Sequence, residues 1–166
     1  PAALGPAPVD RRREGFAGVA GDLFTSGEPV LVAVADVERR REGLELIVAG
    51  LADDGMPVAA WSSIAAQPEL AAQHGHLVAL DPPPGGMADP LLRAGPTAHL
   101  AWGPAEAEFA LQVWRSRLDL RPALADAYRA LRDAPPEADA ETLRHALQGT
   151  GRDPRAPETC AHLVEI

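Results

Sequence analysis

The chain has 166 residues, of which 46% are apolar, so it can bury a hydrophobic core as one large domain or two small ones. Its 15 basic and 24 acidic residues give a net charge of −9, which argues against a surface built mainly to bind nucleic-acid phosphates. All the basic residues are Arg, which excludes a Walker-type lysine site and Schiff-base chemistry. Cys160 is the single cysteine, which excludes an internal disulfide and a multi-cysteine zinc site.

The first third of the chain predicts a linker, a helix, a strand and a second helix. Residues 1–10 are rich in Pro and Gly and are predicted to form a linker. The first helix ends near Gly27, and its apolar face consists of Phe16, Val19, Leu23 and Phe24. Residues 29–36 (PVLVAVAD) form a continuous apolar run, which is typical of a strand buried on both faces of a parallel sheet. The second helix is ended by Gly55, and its apolar face consists of Leu44, Ile47, Val48 and Leu51.

The alternation then continues, with three further strands predicted at 56–61, 76–81 and 97–102. Ser62 and Ser63 are predicted to cap a short helix that runs through Gln73, and another short helix covers 89–93. Strands that alternate with helices in this way are typical of right-handed βαβ crossovers. We therefore predict an α/β fold over 11–103, a three-layer Rossmann-like part with about four parallel strands.

After Gly103 the pattern predicts helices alone, as a helical part over 104–166. Pro104 suits the first position of a helix whose inner side consists of Phe109, Val113 and Trp114. The next helix is strongly amphipathic, with Leu120, Leu124, Ala127, Tyr128 and Leu131 on one face. A third helix is predicted to be capped by Asp139, and its inward-facing residues are Leu143, Ala146 and Leu147. A last helix from about residue 156 carries Cys160, Leu163 and Val164, and one arrangement open to this part is winged-helix-like.

Two carboxylates end predicted parallel strands, at the edge where open α/β sheets bind ligands. A pair formed by Asp36 and Asp81 could hold a divalent metal ion there. The simpler interpretation is that they cap the following helices or accept hydrogen bonds from loop amides. No third carboxylate or His has a spacing that supports a metal site.

Other candidate groups favour structural roles. His74 and His76 are interpreted as a surface loop pair and Cys160 as a buried small apolar residue. No GxGxxG loop follows residues 29–36, and the prolines at 82–84 remove the N–H groups that a phosphate loop needs. These features argue against nucleotide binding.

Two arginine triplets stay open to a binding role: 11–13, before the first helix, and Arg39, Arg40 and Arg41 in the second. The simpler interpretation is a solvated surface on which they pair with neighbouring glutamates. The alternative is a local contact with an anion, such as an acidic peptide or a DNA strand.

The order of these segments resembles the C-terminal region of RecJ, the bacterial 5′→3′ exonuclease family specific for single-stranded DNA within the DHH group. The most specific piece is the LDPP turn at 80–83, and Ala98-His99 and the PET helix start at 157–159 are also similar. The resemblance covers about residues 28–166. The family's tail usually continues through another apolar stretch beyond the position of Ile166.

This resemblance implies a non-catalytic accessory domain. The family's catalytic core binds two Mn²⁺ or Mg²⁺ ions through Asp and His motifs, and no Asp-His-His sequence occurs here. We therefore expect no cofactor in this segment. The implied partners are the rest of the nuclease and the acidic tail of the single-stranded-DNA-binding protein. On charge alone, Arg39, Arg40 and Arg41 are candidate contacts for that tail, and the acidic balance of the chain argues against direct DNA contact.

Two alternatives remain: a small metal-dependent enzyme that uses Asp36 and Asp81, and a degenerate helicase-like domain.

The longest apolar runs, of about six residues as at 30–35, are far shorter than the roughly 20 of a membrane span. Because Pro1 comes first and no targeting signal precedes the fold, we expect a piece of a longer cytoplasmic protein.

Overall fold

The computed structural model describes residues 5–48, 56–85, 88–93, 95–135, 139–149, 155 and 157–165. The chain divides into two compact units, residues 1–114 and residues 115–166. Several residues named above lie outside the described parts: Pro1, Leu51, Gly55, Ala156 and Ile166. None of the helices in the described ranges is long and apolar enough to cross a membrane.

The first unit is an α/β structure with a five-stranded, all-parallel sheet. Its strands are β1 (Val9–Asp10), β2 (Val30–Val34), β3 (Val58–Ala60), β4 (His76–Ala79) and β5 (Thr97–Leu100). Its helices are α1 (Gly15–Thr25), α2 (Val37–Val48), α3 (Trp61–Ala66), α4 (Glu69–Ala72), α5 (Ala88–Leu92) and the first part of α6 (Pro104–Leu118). The strand order is β1-β5-β4-β2-β3. The predicted α/β class with a parallel sheet is thus confirmed.

Helices cover both faces of this sheet because alternate strand residues point to opposite sides. Val30, Val32 and Val34 of β2 pack with α1 and with Leu44 of α2. Leu31 and Ala33 of the same strand pack with α3, α4 and α5 on the other face. All five residues of β2 are buried, as its unbroken apolar run predicts.

The structure differs from the prediction at the sheet's margins. Val9 and Asp10, predicted to belong to a linker, form the edge strand β1, which pairs with β5. This strand is exposed and two residues long, so it leaves no hydrophobic period in the sequence. Trp61 begins α3 instead of ending β3, and the N-cap position of α3 is Ala60. The prediction that Ser62 and Ser63 cap this helix is therefore wrong.

The first unit extends past the predicted boundary at Gly103, to Trp114. The reason lies in α6, whose Ala110 and Val113 pack against Ala35 at the end of β2. The start of this helix therefore belongs to the sheet's hydrophobic core and not to the helical part that follows it.

The second unit contains α7 (Arg121–Arg132), α8 (Ala140–Gln148) and α9 (Pro157–Glu165). Asp139 caps α8 as predicted, since its carboxylate accepts the Thr142 N–H at 2.8 Å. Ala127, Ala146 and Leu163 are buried. Four residues predicted to point inward are instead exposed, because the small alanines form the contact faces here: Tyr128, Leu131, Leu143 and Val164.

Candidate functional site

The carboxyl edge of the sheet is organised around one buried acid, Asp81. It follows β4 and its side chain is fully buried. The carboxylate accepts the Ala35 N–H at 2.9 Å, which joins the ends of β2 and β4. Arg40 of α2 donates to the same carboxylate through Nε, at 3.2 Å from Oδ2, and through Nη2 to Oδ1. This bidentate geometry matches a planar guanidinium to a planar carboxylate.

Aromatic side chains complete the surroundings of this ion pair. The Arg40 guanidinium lies 3.8 Å from the ring centroid of Phe109 in α6, a cation–π contact. The Trp61 Nε1–H donates to the backbone carbonyl of Asp81 at 3.0 Å. Side chains from α2 and α3 therefore bind Asp81 directly, and Phe109 of α6 packs on its partner Arg40.

Burial is the main influence on the acidity of Asp81. It raises the pKa of the carboxyl, and the hydrogen bonds from Arg40 and the Ala35 amide oppose this shift without cancelling it. Both carboxylate oxygens already accept hydrogen bonds. A divalent cation at this carboxylate would have to displace the Arg40 guanidinium.

Asp36, the other carboxylate predicted at this edge, starts a helix. Its Oδ1 accepts the Arg39 N–H at 3.1 Å, which satisfies an amide in the first turn of α2. Its Oδ2 lies 3.9 Å from Arg39 Nε. Among the described residues, no group of three or more His, Cys, Asp or Glu is arranged to hold a metal ion. The geometry at Asp36 and Asp81 thus corresponds to the simpler interpretation, a helix cap and an amide acceptor.

The predicted arginine triplet of α2 does not present one surface. Arg40 points to Asp81, with 21% of its side chain exposed, whereas Arg41 is well exposed and pairs with Glu38 at 2.5 Å. Arg39 lies between these extremes. The sequence does hold a signal for this arrangement, since Arg40 precedes the buried Leu44 by four residues and so shares its helix face.

Two histidines that sequence reasoning left apart meet across neighbouring strands. His99 Nε2 lies 3.1 Å from His76 Nδ1, and His99 is buried. Burial lowers the pKa of His99, and the nearby His76 and Arg11 lower it further. His76 begins β4, as the strand predicted at 76–81 requires. The structure differs from the interpretation as a surface pair, because His74 Nδ1 lies 2.9 Å from the Leu70 carbonyl oxygen and His76 meets His99 instead. Only the register of β4 and β5 brings the two rings together.

A cleft of about 770 Å³ opens beside the carboxyl ends of β1 and β5. Its lining combines three arginines, two acids and a tryptophan with small residues: Asp10, Arg11, Arg12, Arg13, Glu14, Trp102, Gly103, Pro104 and Ala107. Sequence reasoning noticed the arginine triplet but placed it after a linker. It therefore missed that β1 carries the triplet to the sheet edge, next to Trp102.

The fold and this edge define a parallel α/β unit in which an ion pair joins α2 to the buried acid after β4, followed along the chain by a helical unit. Comparison of the chain with protein-family models, with curated proteins and with solved structures found no match.

Proposed function

We propose that this chain is a non-catalytic, protein-interaction domain of a cytoplasmic RecJ-like exonuclease, which acts on single-stranded DNA in repair and recombination. The order of a parallel α/β unit and then helices is compatible with the resemblance of the sequence. For the helical unit, a winged-helix-like arrangement is part of the same proposal. The observation that carries the non-catalytic assignment is the bidentate pair between Arg40 and Asp81.

This pair bears directly on the alternative of a small metal-dependent enzyme. Such an enzyme would need Asp81 as a free ligand at the strand end, but its charge is already balanced by Arg40. Asp36, its proposed partner, is engaged with the first turn of α2. The geometry therefore favours a structural role for both acids. In this proposal, Mn²⁺ or Mg²⁺ belongs to the catalytic core of the parent nuclease and not to this segment.

The proposed partners are the rest of the nuclease and the acidic tail of the single-stranded-DNA-binding protein. Of the three arginines in α2, Arg39 and Arg41 are the ones available to such a tail, since Arg40 faces Asp81. Arg40 then contributes to binding of the tail only indirectly, because its ion pair with Asp81 holds α2 at the sheet edge.

The test measures binding of a labelled peptide with the sequence of that acidic tail to the purified chain by fluorescence anisotropy. The double variant Arg39→Glu/Arg41→Glu should weaken binding about tenfold or more, because two charges at the contact are reversed. The matched control is Arg129→Glu/Arg132→Glu in α7, two exposed arginines that also each pair with one acid. This control should leave the affinity unchanged.

Three results would overturn the proposal. The first is the absence of peptide binding to the wild-type chain, and the second is an equal loss of affinity in the control variant. The third is degradation of single-stranded DNA by the purified chain in Mn²⁺ that disappears in Asp81→Asn, which would assign a catalytic role to the sheet edge.

A further inference from the structure

The cleft lies beside the ends of β1 and β5, two neighbouring strands whose following helices pack on opposite faces of the sheet. β1 leads into α1, which packs on the face that holds Val32 and Val78. β5 leads into α6, whose Trp114 packs with the core cluster of the other face. Divergence of this kind opens a crevice at the carboxyl edge of a parallel sheet, the usual ligand position in open α/β folds.

The charges in the cleft leave one arginine available to a ligand. Arg11 donates to Glu14 and, at 2.9 Å, to Asp22. Arg12 donates to Asp10 at 2.9 and 2.6 Å and holds the pKa of that carboxyl at about 2. Arg13 is exposed and makes no hydrogen bond or ion pair with any residue in the described ranges. Its planar guanidinium is suited to a phosphate or a carboxylate.

The cleft also offers an aromatic surface. Trp102 is half-buried and contributes to the lining, together with Pro104 and Ala107. The Arg12 guanidinium lies over the Trp102 ring, 5.9 Å from its centroid, and the ring also packs against the core cluster that contains Leu31, so a base would meet the part of the ring that lines the cleft. A stacking ring next to a guanidinium is the combination with which proteins hold the bases and phosphates of single strands. The N-terminus of α6 lies in the same lining, but Glu106 already accepts the Gly103 N–H there at 2.8 Å, so Arg13 is the group left to meet an anion.

We propose that this cleft binds a nucleoside phosphate, with the base against Trp102 and the phosphate on Arg13. The ligand chemistry is the same in a free nucleotide and in one unit of single-stranded DNA. The net charge of −9 opposes long-range attraction of DNA, so recognition rests on this local pairing. The site is separate from the α2 arginines and does not depend on the function proposed above.

The experiment is isothermal titration calorimetry of the full chain at low salt, with thymidine monophosphate and with an oligothymidylate of about ten nucleotides. Arg13→Gln should weaken each probe that binds about tenfold, because it removes the charged fork that meets the phosphate. The matched control is Arg132→Gln, which removes one exposed arginine charge outside the cleft. This control should change the affinity by less than about twofold.

Trp102→Leu is a second test variant, and it should also weaken binding about tenfold because the stacking surface is lost. If this variant does not fold, the comparison of Arg13→Gln with Arg132→Gln is decisive, since both residues are exposed. Binding of the monophosphate assigns the site to free nucleotides, and binding of the oligomer alone assigns it to single-stranded DNA. Absence of binding by both probes, or equal losses in Arg13→Gln and Arg132→Gln, overturns the proposal and leaves the acidic-tail test unaffected.

Discussion

Arg40 has more influence on stability than other arginines of α2, because its partner Asp81 is fully buried. Arg40→Ala should lower the free energy of unfolding by about 3–5 kcal/mol, since it leaves a buried carboxylate without its cation. Guanidinium chloride denaturation followed by tryptophan fluorescence measures the effect. This signal is suitable because Trp61, Trp102 and Trp114 all lie in the first compact unit.

Two controls accompany this prediction. Arg41→Ala, at an exposed pair, should change the free energy of unfolding by less than about 0.5 kcal/mol. Adding Asp81→Asn to Arg40→Ala should recover part of the loss, because the uncompensated charge is then gone. Equal losses in Arg40→Ala and Arg41→Ala would show that the ion pair does not stabilise the sheet edge.

His99 makes stability depend on pH below neutrality. Its pKa in the folded chain is lowered by burial, by His76 and by Arg11, while Glu14 and, in α1, Asp22 act in the opposite direction. The unfolded chain therefore binds a proton more readily than the folded chain. The free energy of unfolding is unaffected by this group above about pH 6.5 and decreases as the pH falls from there through the lower pKa of the folded state.

Denaturation midpoints measured between about pH 7.5 and 5.5 test this expectation. The wild-type chain should lose more stability over this interval than His99→Gln, whose side chain does not titrate. The control His162→Gln changes an exposed histidine of α9 and should keep the wild-type slope. A wild-type slope in His99→Gln would assign the pH dependence to other groups.

Among the helices, α8 depends on its N-cap. Asp139 accepts both the N–H and the hydroxyl of Thr142 at 2.8 Å. Asp139→Ala should destabilise the helical unit by about 1 kcal/mol, as typical for the loss of such a cap, and circular dichroism melting measures it. Asp139→Asn keeps a capping oxygen and should cost much less, so equal losses in the two variants would contradict a capping role.

The chain as a whole derives its main core from the two faces of one sheet. Leu77→Ala, at a position 1% exposed in β4, should cost about 2–5 kcal/mol, because it leaves a cavity between the sheet and its helices. Leu111→Ala, at a position 46% exposed in the same unit as the tryptophans, should cost much less. Tryptophan-detected denaturation should separate the two variants, and a similar midpoint shift in both would contradict the assignment of this core.

Elements with a local hydrophobic period were predictable. The runs around Val32 and Val78 predicted strands, and Phe16, Val19 and Leu23 predicted α1, because burial of one face imposes a repeat on neighbouring residues. The strand β1 carries no such repeat, since its two residues are exposed and are ordered by pairing with β5. In α8 the alanine at 146 supplies the buried contact and Leu143 stays exposed, which a hydrophobic pattern does not distinguish.

Part of the candidate site was also predictable. That Asp36 and Asp81 end strands followed from the apolar runs before them, and the absence of lysine followed from composition. The partners of Asp81 did not follow: Arg40 lies 41 positions away, and two further arginines flank it. The meeting of His76 with His99, and of the 11–13 arginines with Trp102, likewise depends on strand order and register. Whether a segment forms a helix or a strand depends mainly on interactions between residues a few positions apart. The pairings named here form only when distant segments pack together and exclude water, so no short stretch of residues encodes them.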